Sequence, residues 1–391
     1  MTVQSKRVQM TNEVRQAVLA QLDKGTFYGG EQAFQFEREL GAYLGVRHVL
    51  TVNSGTSALL VAAVALDIGP GAEVLIPANV YPSSAEVTAF LGATPVFCDI
   101  DESTATMTAE TAARRLTPRT KALIVTHMYG HPADMDPLVE FARAHNLRTI
   151  EICAHALGAG YRGRKAGSLC DIGMLSLGSK NISVCTTGGA ITTNSYELYQ
   201  ACAAVSRHGW PRKPIDESFF EKIQFNESPN AGMFPLERDS VRPGLNLQLD
   251  EIPCTIGRIH LRQLDEWNAR RRQVAALYNR LIAESDLPVR TPVVQPWAEH
   301  AFLHYVVRVP RRDALMTHLV DAGIEALIHY PILIPEMRYY AQHFPTPSDA
   351  HPVASRVVKE ILTLPIHPWI TDREVQYVVD QMVKFYRAHP V

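Results

Sequence analysis

The sequence predicts an α/β protein built on a mainly parallel sheet, followed by a smaller α+β domain. Three observations carry that expectation. From about residue 33 to 200, short apolar runs alternate with helical patterns, and strands separated by helices pair in parallel with both sheet faces covered. The least ordinary residues collect at the carboxyl ends of those strands, where sheets of this kind bind ligands. At 391 residues the chain suits two domains better than one, and we expect them to span 1–254 and 255–391.

Taken in chain order, Glu37–Leu44 reads as helix leading into the strand His48–Val52, with a helix over Ser57–Leu66 after it. Ala72–Ile76 reads as a buried strand, Ser84–Leu91 as a helix and Thr94–Cys98 as the next strand. Ala122–Thr126 and Arg148–Ile152 are expected strands on either side of a helix over Pro137–His145. Trp210 to Pro243 carries five prolines and several acidic residues and reads as a long loop, which in a compact domain is more often functional than idle. Thr255 to about Glu284 reads as one long amphipathic helix, with Ile259, Leu264, Trp267, Val274, Leu277 and Leu281 along one side. A strand (His304–Val309), a helix (Arg311–Ala322), a strand (Glu325–Tyr330) and a final helix (Asp372–His389) complete the smaller domain.

Hydrophobic content of 46% and charged content of 20% are ordinary for a globular protein. The 38 basic and 40 acidic residues nearly cancel, so nothing marks a surface for nucleic acid or anionic membrane. The start, MTVQSKRVQMTNEV, has no apolar core of a secretory signal, and no apolar run approaches a bilayer span; a cytoplasmic location is expected. The six cysteines (98, 153, 170, 185, 202 and 254) are scattered without a CxxC pair. Neither a zinc site nor a disulfide framework is expected, and buried reduced thiols are the plain reading. Cys153 and Cys185 flank the residues of interest below, which leaves a reactive thiol open.

Asn53-Ser54-Gly55-Thr56-Ser57-Ala58-Leu59 follows a strand and opens a helix. Glycine lets the backbone approach an anion closely, and the helix amides and dipole favour negative charge there. Taken alone, a helix start capped by Ser or Thr is the commoner meaning. Other phrases follow it in order: Gly69-Pro70-Gly71-Ala72-Glu73-Val74, Leu91-Gly92-Ala93-Thr94-Pro95-Val96-Phe97-Cys98-Asp99, Tyr129-Gly130-His131-Pro132-Ala133-Asp134-Met135, Thr149-Ile150-Glu151-Ile152-Cys153-Ala154-His155, Gly167-Ser168-Leu169-Cys170-Asp171, Gly188-Gly189-Ala190 and Arg207-His208-Gly209. Gly244-Leu245-Asn246, Gln263-Leu264-Asp265, His304-Tyr305, Gly323-Ile324 and His329-Tyr330-Pro331 continue the series. Over about residues 25 to 388 this series resembles the DegT/StrS family of pyridoxal-phosphate (PLP) sugar aminotransferases, in order and at near-family spacing.

The resemblance implies the aminotransferase fold type I: a large domain with a mainly parallel seven-stranded sheet between helices, and a small C-terminal α+β domain. It also implies PLP as cofactor and a homodimer with two shared active sites. The reaction would move an amino group from glutamate or glutamine to a keto sugar or keto-cyclitol, for an amino sugar of a surface polysaccharide or a secondary metabolite such as an antibiotic. By the resemblance, Gly55, Thr56 and Ser57 match the phosphate-binding turn and Ser176 a serine on the same phosphate. Asn246 matches an asparagine reaching the phosphate from the neighbouring subunit. Tyr81 sits where the family places a residue over the cofactor ring, and His155 matches the residue beside its phenolic oxygen. His329, with Tyr330, would shape the sugar pocket together with the loop around 210–243.

Thr187 stands where many members of the family carry a glutamate before Gly-Gly, and Gln248 where many carry an arginine after G-x-N; two further departures bear directly on the chemistry. The family motif reads I-E-D-x-A-(H/Q)-x-x-G, and its aspartate keeps the cofactor's pyridine nitrogen protonated; here the position is Ile152. Burial beside an apolar side chain disfavours a charged nitrogen, and a neutral ring takes up electrons less well. Glu151 is adjacent, but on a strand it faces the other way. The second departure is the lysine that binds the cofactor covalently. Counted rigidly from Ser176 to Gly188-Gly189, its slot falls on Asn181; anchored on the phrase Lys180-Asn181-Ile182-Ser183, it falls on Lys180. Loops absorb single insertions readily, so Lys180 is the expected catalytic lysine, with Asn181 beside the cofactor. Two readings stay open: a PLP enzyme of this family, or a repurposed member that binds PLP weakly or not at all, either an altered enzyme or a non-catalytic partner.

Overall fold

The computed structural model describes residues 1–27, 29–178, 187–212, 239–347 and 349–390. The expected loop of residues 210–243 therefore falls mostly outside the described residues. Two helices, α1 (Asn12–Lys24) and α2 (Glu31–Leu44), precede the first strand, and each ends on a glycine at positive φ, Gly25 or Gly45, the residue that adopts the left-handed turn without strain. The strands β1 (His48–Val52), β2 (Glu73–Pro77), β3 (Thr94–Cys98), β4 (Thr120–Thr126) and β5 (Arg148–Ile152) follow, then a short hairpin of β6 (Gly160–Tyr161) and β7 (Arg164–Lys165), then β8 (Ile172–Ser176) and β9 (Gly189–Thr193). Between them run α3 (Gly55–Ala65), α4 (Ser83–Phe90), α5 (Ala109–Ala113) and α6 (Met135–Ala144), and α7 (Tyr196–Ser206) follows β9.

Seven strands form one sheet in the order β1-β9-β8-β5-β4-β2-β3. From β3 to β8 every pair is parallel; β9 runs against both of its neighbours. The strand period of two sorts the side chains. Val74, Ile76, Ile124, Ile150 and Ile152 join the residues of α3 and α7 in one core. Leu75, Leu123 and Val125 pack against Met135, Leu138 and Ala142 of α6 on the other face. Covering both faces leaves the strand ends as the open edge where a ligand can enter.

The smaller sheet pairs β11 (Tyr305–Arg308) with β12 (Ile361–Leu364), after a two-residue strand β10 (Ala298–Glu299) that extends the β6–β7 hairpin. The long helix expected over Thr255–Glu284 is two helices, Glu251–Leu261 and Leu264–Glu284. They serve different cores. Ile256 and Ile259 of the first pack with Val14 of α1, whereas Val274, Tyr278 and Ile282 of the second join Val375, Val379 and Phe385 of the helix Asp372–Ala388. Between them the Gln263 amide closes a turn on the His260 carbonyl at 3.0 Å. The 254/255 boundary falls inside the first of these helices. The expected strand Glu325–Tyr330 is not formed: the Glu325 amide bonds the Val3 carbonyl at 2.9 Å and the Leu327 amide bonds Thr363 of β12 at 3.1 Å. A segment divided between two neighbours makes isolated bridges and no ladder. Among the described residues no helix is long and apolar enough to cross a membrane.

Candidate active site

A cleft of about 530 Å³ opens at the carboxyl ends of β4, β5 and β8. Of the residues singled out in the sequence, Gly55, Thr56, Tyr81, Ile152, His155, Ser176, His329 and Tyr330 all line it.

Its first wall is the start of α3. The Ser54 hydroxyl oxygen accepts the Ser57 amide at 3.0 Å and so caps the helix, leaving the Gly55 and Thr56 end at the cleft. Close approach is built in. A Cβ at Gly55 would lie 3.0 Å from the Ser176 Cβ, and one at Gly189 would lie 2.3 Å from the Ser54 carbonyl oxygen. Helix start and strand β8 therefore share one surface, with the positive end of the helix dipole directed at it. Ser57 is not part of that surface: its hydroxyl is 2.8 Å from Ser54 Oγ, so it serves the cap.

The second wall is apolar. Ile152 at the end of β5 and Met174 on β8 are both buried there. Thr126, at the end of β4, is the Cα partner of Ile152 in the parallel ladder, and it too lines the cleft. Its hydroxyl is buried and has no hydrogen-bond partner among the described residues. The described lining residues include no carboxylate.

Glu151 does face the other way. Its carboxylate accepts the amides of Gly167 at 2.8 Å and Cys170 at 3.0 Å, the Leu169 amide, and the His127 ring at 2.9 Å. Burial would raise its carboxyl, but the His127 hydrogen bond and the backbone amides outweigh it and hold the group below the usual range. His127, Glu151 and Cys153 lie close enough to suggest a metal. The carboxylate is already occupied by amides, however, and His127 Nδ1 accepts the Ala133 amide at 3.1 Å, so the cluster reads as structural. Burial, together with Glu151, pushes the Cys153 thiol well up, and Cys153 is not among the residues that line the cleft. Cys185 lies outside the described residues.

The third wall is aromatic. Tyr81 is exposed at the mouth, its ring 5.7 Å from that of Tyr330. The Tyr330 hydroxyl is 3.2 Å from His155 Nε2, while the buried Nδ1 of His155 has no hydrogen-bond partner among the described residues. His155 meets His304 edge to face at 4.8 Å, and His304 stacks on His329 at 4.0 Å. His329 is fixed by Thr363 on its Nδ1 at 2.9 Å and by Tyr129, whose hydroxyl donates to the His329 carbonyl at 2.7 Å. Burial, with His329 and the Lys6 ammonium nearby, lowers His155 to about 3. Burial and Lys6 lower His329 to about 4, and His304 is pushed down for like reasons. All three rings are neutral at ordinary pH.

Lys6 lines the same cleft. Its segment is pinned to the small domain: Val3 is wholly buried and bridges Ile324, and the Ser5 amide donates to Glu325 at 2.8 Å. Sequence reasoning passed over Lys6, Thr126, Met174 and the role of His304. His304 stood in a quoted phrase, but nothing local marks the other three. Asn246 is not in the cleft; it is exposed, with its backbone bridged to Arg207. Lys180 and Asn181 lie outside the described residues, although Gly178 and Thr187 to either side of that stretch both line the cleft.

Comparison with known proteins agrees with this geometry. The profile of the DegT/DnrJ/EryC1/StrS aminotransferase family matches residues 8–383. The chain is 35% identical to the dTDP-3-amino-3,4,6-trideoxy-alpha-D-glucose transaminase of Streptomyces venezuelae, covering 94% of this chain and 90% of the relative. It is 34% identical to the GDP-perosamine synthase of Caulobacter vibrioides, over 90% of this chain and 89% of that one. Among solved structures, S. venezuelae DesV in complex with a ketimine intermediate superposes with a TM-score of 0.86 at 33% identity, covering 97% of this chain and 95% of that one. Strand-end cleft, helix-start cradle and sequence likeness over almost the whole length agree: the chain belongs to the DegT/DnrJ/EryC1/StrS aminotransferase family.

Proposed function

We propose that the protein is a sugar transaminase that holds PLP in this cleft and transfers an amino group from glutamate or glutamine to a nucleotide-linked keto sugar. The observation that carries the reading is the pairing of an anion cradle at the start of α3 with an unpartnered buried nitrogen of His155 in one cleft. The residues present fit the cofactor at both of those points. Backbone amides of Gly55 and Thr56 and the Ser176 hydroxyl would hold its phosphate. If the Tyr330 hydroxyl donates to Nε2, the neutral His155 ring carries its proton on Nδ1 and would offer it as a hydrogen bond to the cofactor's phenolic oxygen. When bound, PLP supplies an electron-accepting ring and an aldehyde through which the amino group passes. Lys180 would be the amine that binds the cofactor and carries protons, since a lysine of lowered pKa serves that role.

Around that centre the chain supplies binding and orientation. Tyr81 covers the mouth, His329 and Tyr330 border the substrate side, and Lys6 adds a cation to a lining without described acids, which favours anionic substrates. The substrate class rests on the relatives named above, whose products are dTDP- and GDP-linked amino sugars by name. Asn246, exposed outside the cleft of its own chain, is suited to reach the cradle of a second copy, so the proposal includes a homodimer.

The test is an amino-transfer assay with PLP, L-glutamate or L-glutamine, and a panel of nucleotide-linked keto sugars, read by mass. An amino sugar that forms only when donor and keto sugar are both present supports the reading. Protein that retains PLP yet transfers nitrogen from neither donor to any of the sugars would count against it.

A further inference from the structure

We propose that the Thr126 hydroxyl donates a hydrogen bond to the ring nitrogen of the bound cofactor, so that the pyridine ring works unprotonated. The inference rests on the PLP reading above and deepens it. Thr126 and Ile152 are Cα partners on adjacent parallel strands, so their side chains leave the sheet on the same face, and both reach the cleft. Thr126 is 5% exposed, and its Oγ1 lacks a hydrogen-bond partner among the described residues. Buried hydroxyls are nearly always partnered, and an orphan calls for a reason. The strand itself offers none. Valine is equally β-branched, suits the same pleat and brings no hydroxyl to satisfy.

A ligand nitrogen provides the reason. A carboxylate at position 152 would stabilise a protonated pyridine; Ile152 and Met174 beside it favour the uncharged form, because desolvation penalises the cation. An uncharged pyridine nitrogen has a lone pair and needs a donor. Carboxylates accept, whereas a hydroxyl can donate. Isoleucine at 152 and threonine at 126 are therefore consistent with one another: the acid that would demand a proton is gone, and a neutral donor stands on the neighbouring strand. The ring so held is anchored but less electron-withdrawing, which slows proton removal from the substrate without releasing the cofactor.

The experiment uses the full chain as wild type, Thr126→Val and Thr126→Ser. Three quantities are read: melting temperature without PLP, PLP affinity by fluorescence quenching, and the nitrogen-15 shift of ring-labelled PLP bound to the wild type. Thr126→Val should melt higher than wild type without PLP, since it removes an unsatisfied hydroxyl, yet bind PLP about tenfold more weakly, the loss of one hydrogen bond to a buried acceptor. Thr126→Ser should keep wild-type affinity within about threefold, and the nitrogen shift should be that of an unprotonated, hydrogen-bonded pyridine. Equal PLP affinity of Thr126→Val and wild type, or a protonated nitrogen, would overturn the role of Thr126 and leave the cofactor reading standing. Failure of the wild type to bind PLP at all would remove both.

Discussion

At the scale of single residues, the proposed chemistry turns on Ile152. It is buried at the end of β5, beside Met174 and across from Thr126, so an acid placed there would face apolar and uncharged neighbours in the sheet until a ligand arrives. Ile152→Asp should therefore destabilise the protein without PLP by about 2–4 kcal/mol, through lost apolar burial and an unpaired buried carboxyl. With PLP it should bind more tightly than wild type, by on the order of 1.5–3 kcal/mol before desolvation is subtracted, from a charge-assisted hydrogen bond to the ring nitrogen. Paired melting curves and PLP titrations separate the two effects; unchanged PLP affinity would mean that the ring does not lie against this wall. The outward aim of Glu151 and the inward aim of Ile152 were both legible, because a strand alternates its faces. Thr126 was not, since which residue of β4 stands opposite Ile152 depends on a register between strands that no local pattern records.

At the scale of elements, the start of α3 depends on β9 as much as on its own sequence. Gly189→Ala would drive a Cβ to 2.3 Å from the Ser54 carbonyl oxygen. That overlap should cost on the order of 1–3 kcal/mol in urea unfolding and should weaken PLP binding further by displacing the helix start. Ser54→Ala, which removes only the cap, should cost about 1 kcal/mol. If Gly189→Ala binds PLP like wild type, the cradle is not where the phosphate sits. Strands β1, β3 and β5 were legible to the residue, because these strands are short, largely apolar and bounded by turns. The break at Arg262–Gln263 was not, because an unbroken apolar stripe can serve two cores and the sequence does not say where one ends. Glu325–Tyr330 has strand-like composition, but its partners, Val3 and Thr363, are far away in the chain, and their division prevents a ladder.

At the scale of the whole molecule, residues from the chain start, the sheet and the small domain meet in one cleft. Lys6 stands near His155 and His329 only because Val3 is buried in the small domain's core, a placement that no motif announces. Buried histidines across the molecule give it a pH signature. His131 and His367 are lowered to about 4 by burial first of all, His155 to about 3, and His300 and His304 fall as well. Unfolded, each takes a proton near 6.5, so between that value and the folded values the unfolded chain binds more protons. Stability present above about 6.5 is then lost as pH falls, at up to about 1.4 kcal/mol per histidine per unit. Melting temperature at constant ionic strength should fall steadily from pH 7 to 5; a flat profile would show that these rings are protonated in place. The reading as a whole turns on whether the cleft holds PLP through the expected lysine. Borohydride reduction of the PLP-treated protein, followed by peptide mass mapping, tests this most directly. A pyridoxyl group on Lys180 is the expected result. A group on Lys6, which lines the same cleft, or on Lys165, which bonds the Gly158 carbonyl at 3.2 Å, or no label on protein that keeps full activity without PLP, would contradict it.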